Sequence, residues 1–289
     1  MGELNSTKPR LTPQEVPQFS QYAARSLNAM ALQSGTTVQD LIERFQKEPV
    51  TREAMRSRLE KIDDPEMLDM VMRQLRREVM TTLIVRDLTA HADFHEVVGT
   101  VTALAEETVS AAVRVHSRKL AQRFGVPVGV SGEPQDLLVV GMGKLGAQEL
   151  NYVSDVDLIY VVEPADKDVD HQTLIRVGTK MGTMLQRVCQ SAIMGVAEQP
   201  LWQIDGGLRP EGKDGALVRV LSSHKNYYEQ WAENWEFQAL LKARPVAGDP
   251  DLGQAYMDMT RPFVWSASKR KNFVYDCQKM RKRVEDLIP

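Results

Sequence analysis

The sequence predicts an α+β protein in which a small α/β core is set between helical segments. Three observations predict it. Up to about Phe124, apolar residues recur mostly at threes and fours, as one buried helix face requires. The period then changes, and short apolar runs bounded by Gly or acidic residues read as strands. From Ser222 the helical spacing returns.

Residues 1–12 read as a loose, disordered N-terminus, and 13–130 as a helical region. Thr12, Pro13 and Glu15 have the pattern of a helix start, with Thr as N-cap, Pro at the first position and Glu closing a capping box. Leu68, Met72, Leu75, Val79 and Leu83 mark the buried face of a long helix, and punctuation falls at Gly35, Pro49 and Asp63-Asp64-Pro65. A further helix is expected from about His95 to Phe124. A Gly/Pro-rich connector, Gly125 to Pro134, precedes the α/β core, placed at 131–221. In the core, Asp136–Gly141 and Asp155–Val162 read as strands, with a short helix at Leu145–Leu150 between them. A helix from about Val169 to Ser191 follows, then strands at Leu201–Asp205 and Ala216–Val220. Residues 222–289 read as a helical tail, with breaks near Ala247–Pro250 and Arg261-Pro262.

Composition narrows the function classes. At 289 residues, with 43% hydrophobic and 26% charged side chains, the chain can bury a sizeable core in the manner of a soluble protein. A net charge of −3 argues against a nucleic-acid binder, which needs a basic excess to neutralise phosphates. The basic run Lys269-Arg270-Lys271, with Lys279, Arg281, Lys282 and Arg283, is interleaved with Asp276, Glu285 and Asp286, and reads as a solvated helix face. The two cysteines, Cys189 and Cys277, fit no ligand spacing, so a reducing compartment is expected. No run approaches the ~20 apolar residues of a membrane span, and the N-terminus has no apolar signal core. A cytoplasmic protein without membrane contact is the expectation.

The chemistry concentrates around two acids. Residues two apart on a strand project to one side, so Asp155 and Asp157 point together. Paired carboxylates repel unless a cation lies between them, and Mg²⁺ favours such oxygens together with substrate phosphates. The pair reads equally as a solvated loop ahead of the strand. Upstream, Gly141-Met142-Gly143-Lys144-Leu145-Gly146 follows a strand, where glycines let the backbone approach an anion and Lys144 adds charge. The same letters spell the dinucleotide-binding G-x-G-x-x-G, with Glu163 at a ribose-holding distance, so an NAD-dependent Rossmann-type oxidoreductase is a competing reading. Against it, the crossover from Gly146 to Asp155 is short and polar, and NAD has no use for the acid pair. Asp205, before Gly206-Gly207, is either a turn residue or a third carboxylate, with Arg209 and Lys213 close behind it. Two further pairs carry less. His91 and His95, beside Asp93 and Glu96, lie one helical turn apart but lack a third ligand, and read as an exposed face. Trp231 and Trp235 read as core packing or, failing that, a stacking surface.

Taken together, Gly141–Asn151, Ser154–Asp157, Asp205 with Leu208–Gly212, Gly215–Val218, Tyr227–Trp231, Trp235–Arg244 and Val246–Asp249 resemble the signature of the glutamine synthetase adenylyltransferase/deadenylylase family. Leu75-Arg76-Arg77 and Arg86-Asp87-Leu88 fit the helical region that precedes its catalytic unit. The resemblance covers most of the chain after about residue 60. It implies a polymerase-beta-like nucleotidyltransferase core, a small mixed sheet with helices, of the N-terminal, actinobacterial-like kind. It further implies removal of AMP from a tyrosine of glutamine synthetase by phosphorolysis, regulating nitrogen assimilation. Adenylylation would belong to a second unit, and the chain is expected to be an N-terminal fragment of the longer enzyme. Asp155, Asp157 and Asp205 would hold Mg²⁺ or Mn²⁺, and in the adenylylating direction Asp205 would accept the tyrosine proton. Gly141, Gly143, Lys144 and Ser154 would meet the phosphates of ATP, ADP or inorganic phosphate, and Arg209 would support developing charge. Lys242 and Arg244 are weaker candidates. A PII-type regulatory protein is a further implied partner. The non-enzymatic alternative is a catalytically incomplete fragment that docks on glutamine synthetase.

Overall fold

The computed structural model describes residues 11–124, 137–163, 171–193 and 200–286. The expected connector at Gly125–Pro134, and with it the boundary at 130, lies outside them, as do residues 1–10.

Six helices come first: α1 (Val16–Phe19), α2 (Gln21–Ser34), α3 (Val38–Lys47), α4 (Arg52–Leu59), α5 (Pro65–Leu88) and α6 (Phe94–Phe124). Their ends follow from local side chains. Ser20, Thr37, Thr51 and Asp64 each accept a backbone N–H at a helix start, and Gly35 closes α2 in the left-handed region. The start expected at Thr12 is displaced. The Glu15 carboxylate does reach back to the Thr12 amide at 2.7 Å, but this closes a turn, and α1 begins at Val16. The periodic apolar residues of α5 are buried: Leu68, Met72, Leu75 and Val79 are at 0% exposure.

The sheet follows: β1 (Leu138–Gly141), α7 (Gly143–Gly146), β2 (Val156–Val162), α8 (His171–Gln190), β3 (Ile204–Asp205) and β4 (Val218–Val220). Then come α9 (Leu221–Gln230), α10 (Asn234–Leu240), β5 (Arg244–Ala247), α11 (Pro250–Ser266) and α12 (Phe273–Glu285). The sheet is mixed, in order β3-β2-β1-β5, with β4 also on β2. The α+β class expected from the sequence is the observed one. Two details of the expected helical tail are corrected. Arg244–Ala247 is a strand, and Pro245 is tolerated there because β5 is the terminal strand of the sheet order. Pro262 lies inside α11 and does not break it.

Strand β2 is the axis of the core. Val156, Leu158, Tyr160 and Val162 pack into a cluster with α5, α6 and α8, while Ile159 and Val161 pack with α9, α10 and α11 on the opposite face. Because both faces are covered, the strand reads as an unbroken apolar run. Helices α1–α3 close a third cluster against α5. Among the described residues no helix is long and apolar enough to cross a membrane.

Candidate active site

The strand alternation that buries β2 also gathers the acids. Val156 and Leu158 face α6 and α8, so Asp155 and Asp157 project to the other side, at the start of the strand. β3 runs parallel to β2 with Val156 opposite Ile204 and Asp157 opposite Asp205. Ile204 joins the same cluster as Val156, so Asp205 emerges on the face of Asp157, one strand away. The three carboxylates therefore share one face at one end of the sheet. Asp155 is exposed, and Asp157 and Asp205 are half-buried.

The glycine segment lies directly over them. The Met142 amide donates to the Asp157 carbonyl at 2.9 Å, and Gly143 turns the chain at a φ of 52°. A Cβ at Gly143 would run into the Asp157 carboxylate, so both conformation and space favour glycine there. Gly141 is the last residue of β1. The Lys144 ammonium donates to Ser154 Oγ at 3.2 Å, and Ser154 in turn donates to Asn151 Oδ1 at 2.6 Å. Asp205 accepts the Gly207 amide at 2.6 Å, a turn contact that also fixes its carboxylate. The turn reading of Asp205 thus holds, and its carboxylate lies on the face of Asp157.

The cluster's electrostatics are unbalanced. Burial, then the negative charges of Asp205 and Asp155, push the Asp157 carboxyl up to about 6, with Lys144 pulling the other way. Oxygen donors with excess negative charge suit a hard divalent cation. Among the described residues no three acidic, imidazole or thiol groups close into a ready cage.

Other expected roles change on inspection. Arg209 does not reach toward the acids, because its nitrogens donate to the carbonyls of Gly206, Lys213 and Gly215 and so tie down the loop after β3. Glu163 accepts the Leu221 amide at 3.0 Å and caps α9. With β1 and β2 antiparallel, the parallel crossover unit of a dinucleotide-binding fold is absent here, and the NAD reading falls. His91 lies in the turn between α5 and α6, hydrogen-bonded to Thr89 Oγ1 at 2.9 Å, not one helical turn below His95. Trp231 is 74% exposed at the end of α9 rather than packed in the core. Lys242 pairs with Glu149 at 3.1 Å. A cavity of about 640 Å³ between α5, α6 and α8 is lined by Asp69, His116, Met184 and Arg187 and includes none of the three aspartates.

The sequence reading missed a second set of carboxylates. Glu106 and Glu107 of α6 are buried among apolar neighbours and are met by Arg52, Arg56 and Arg244. Two adjacent acids inside the apolar run Val101–Val109 are the signal that pointed to them, since buried carboxylates demand partners.

Comparison with known proteins gives the family. The family model described as glutamate-ammonia ligase adenylyltransferase matches residues 14–259. A bifunctional glutamine synthetase adenylyltransferase/adenylyl-removing enzyme of Bifidobacterium longum (strain DJO10A) is 99% identical over 151 residues, 52% of this chain and 14% of that protein. The proteins of the same description from Streptomyces coelicolor and Streptomyces avermitilis are 49% identical over 174 residues and 43% identical over 213. These matches take in 58% and 74% of this chain, and 17% and 20% of those proteins. The chain thus spans well under half the length of the relatives it matches. With its matched region running through the glycine turn and all three aspartates, the chain belongs to the glutamate-ammonia ligase adenylyltransferase family.

Proposed function

We propose that this chain carries a metal-dependent nucleotidyl-transfer site acting on glutamine synthetase, and that its reaction is removal of AMP from an adenylylated tyrosine by phosphorolysis. The observation that carries the reading is the in-register placement of Asp157 and Asp205, with Asp155 beside them, beneath a left-handed turn at Gly143 where a Cβ would meet the Asp157 carboxylate. Asp155, Asp157 and Asp205 would hold Mg²⁺ or Mn²⁺, which supplies charge neutralisation and alignment at the phosphorus under attack.

The chain's own residues do the rest. The Gly143 turn leaves the backbone bare where phosphate oxygens approach, and Lys144, held by Ser154, places a positive charge at the rim. Arg209 acts at one remove, fixing the Gly206–Gly215 loop and with it the carboxylate of Asp205. In the reaction, an oxygen of inorganic phosphate attacks the AMP phosphorus and the bond to the tyrosine oxygen breaks. The tyrosine oxygen takes up a proton, and the products are ADP and free tyrosine. In these roles the nucleotide, phosphate and glutamine synthetase are the proposed substrates, and a PII-type regulatory protein is a further proposed partner. The test is phosphate-dependent release of AMP from adenylylated glutamine synthetase by the chain, compared with its Asp155→Asn/Asp157→Asn variant. Loss of release in the variant is expected, and undiminished release would sink the assignment.

A further inference from the structure

The buried acids of α6 form one alternating series of charges that ends at the glycine turn. Arg56 donates to Glu107 at 2.9 and 3.1 Å, and Arg52 joins Glu107 at 2.7 Å to Glu106 at 2.6 Å. The second oxygen of Glu106 receives Arg244 of β5. Arg244 is then aimed at α7, where Nη2 donates to the Leu145 carbonyl at 3.1 Å and Nε to the Gly146 carbonyl at 3.2 Å. These carbonyls belong to the last residues of the short helix that opens at Gly143; the Leu145 carbonyl also accepts the Gln148 amide at 3.1 Å, and the guanidinium adds a second donor there while reaching Gly146. The approach is close enough that a Cβ on Gly146 would strike the Lys242 carbonyl.

We infer that Arg244, oriented by Glu106, is a positioning residue that sets the Gly143–Gly146 turn over Asp157. The inference rests on the nucleotidyl-transfer reading for its functional consequence. Glu106 is 2% exposed, and a buried carboxylate of that kind holds its partner in one geometry because water offers no alternative. The forked guanidinium is needed because one side chain must meet a carboxylate and two carbonyls at once. An ammonium keeps the charge but not the fork. Arg52 and Arg56 lie on α4, so the series also ties the position of that helix to the turn.

The test uses the full 289-residue chain with Arg244→Lys and Glu106→Gln as separate variants. Amide hydrogen exchange of the segment 142–150 is measured by mass spectrometry, beside the melting temperature and the affinity for ADP with Mg²⁺. The expected result for Arg244→Lys is a folded chain whose turn amides exchange about tenfold faster and whose ADP affinity falls about tenfold, the size of a lost charge-assisted hydrogen bond. In the release assay the KM for phosphate rises while kcat changes less. A folded Arg244→Lys chain with unchanged exchange in 142–150 overturns the inference. So does a uniform rise of exchange across the chain in both variants, which marks a purely structural pair. The exchange readout needs no ligand, so it stands even if the Asp155→Asn/Asp157→Asn control shows that the nucleotidyl-transfer reading is wrong.

Discussion

Two groups of carboxylates lie within this fold, and they are treated in opposite ways. On α6, Glu106 and Glu107 are buried and each is met by two arginines. Burial alone would push Glu107 up, but the hydrogen bonds from Arg56 and Arg52 outweigh it and hold its carboxyl below the ordinary value of 4.5. At the end of β2, Asp155, Asp157 and Asp205 share one face with only Lys144 acting against their charge on Asp157, which is pushed up to about 6. The first group is neutralised by the protein itself and needs nothing else. The second is left short of positive charge, and that deficit is what a metal-bound phosphate ester would fill. A carboxylate cluster becomes a site by what the fold withholds from it.

The comparison can be broken in several places. The largest effect is expected from Glu107→Leu, which removes the shared acceptor of Arg52 and Arg56, two arginines whose side chains still reach solvent. Losing charge-assisted hydrogen bonds to partly exposed arginines costs about 1.5–3 kcal/mol, and chemical denaturation reads it directly. A loss under ~1 kcal/mol would show that the α6 pairs carry little. Next is Gly143→Ala, which forces a non-glycine residue to positive φ and drives its Cβ into the Asp157 carboxylate. A destabilisation of about 1–3 kcal/mol is expected, together with loss of Mg²⁺-dependent ADP binding. Asp157→Asn should act in the reverse sense on stability. It relieves repulsion with Asp205 and Asp155, so the metal-free chain should melt about 2–4 °C higher, the shift that ~1 kcal/mol gives a chain of this size, while activity is lost.

The smallest effect is in the pH dependence, where the two groups carry opposite signs. Glu107 has a lowered pKa, so its stabilisation is present above 4.5 and is lost as pH falls through its folded value. Asp157 has a raised pKa. Between about 6 and its ordinary 3.8 the folded state holds a proton that the unfolded state has released, so the metal-free chain gains stability as pH falls through that window. Relative to wild type, Asp157→Asn should therefore lose its advantage on acidification from pH 7 to pH 4, and Glu107→Gln should lose its disadvantage below pH 4.5. Parallel denaturation curves at both pH values would remove the distinction between the groups.

Much of the site was legible because it is local. Asp155 and Asp157 are two apart at the start of an apolar strand, and Gly141, Gly143 and Gly146 mark a turn, so spacing puts the acids on one side even though it reads equally as a solvated loop. Asp205 was legible as a turn residue, while its register with Asp157 is a long-range property of β3. What stayed hidden depends on the tertiary fold. Arg244-Pro245-Val246-Ala247 is short and contains a proline, so it shows no strand signal and falls within the expected helical tail, yet as the terminal strand it carries the guanidinium that meets α7. Arg209 looks like a phosphate ligand until the loop carbonyls that occupy it are in place. Glu163 keeps the spacing of a ribose ligand, but the antiparallel pairing of β1 with β2 leaves it capping a helix.

The central claim is that the aspartate group is deficient in positive charge because it binds a metal with a nucleotide. Electron paramagnetic resonance of Mn²⁺, titrated into the chain with and without ADP, measures this directly. The expected result is one bound Mn²⁺ or two per chain, tightened by ADP, and abolished in the Asp155→Asn/Asp157→Asn variant while the Arg244→Lys variant retains metal binding. Mn²⁺ bound equally well by wild type and the double aspartate variant would contradict it.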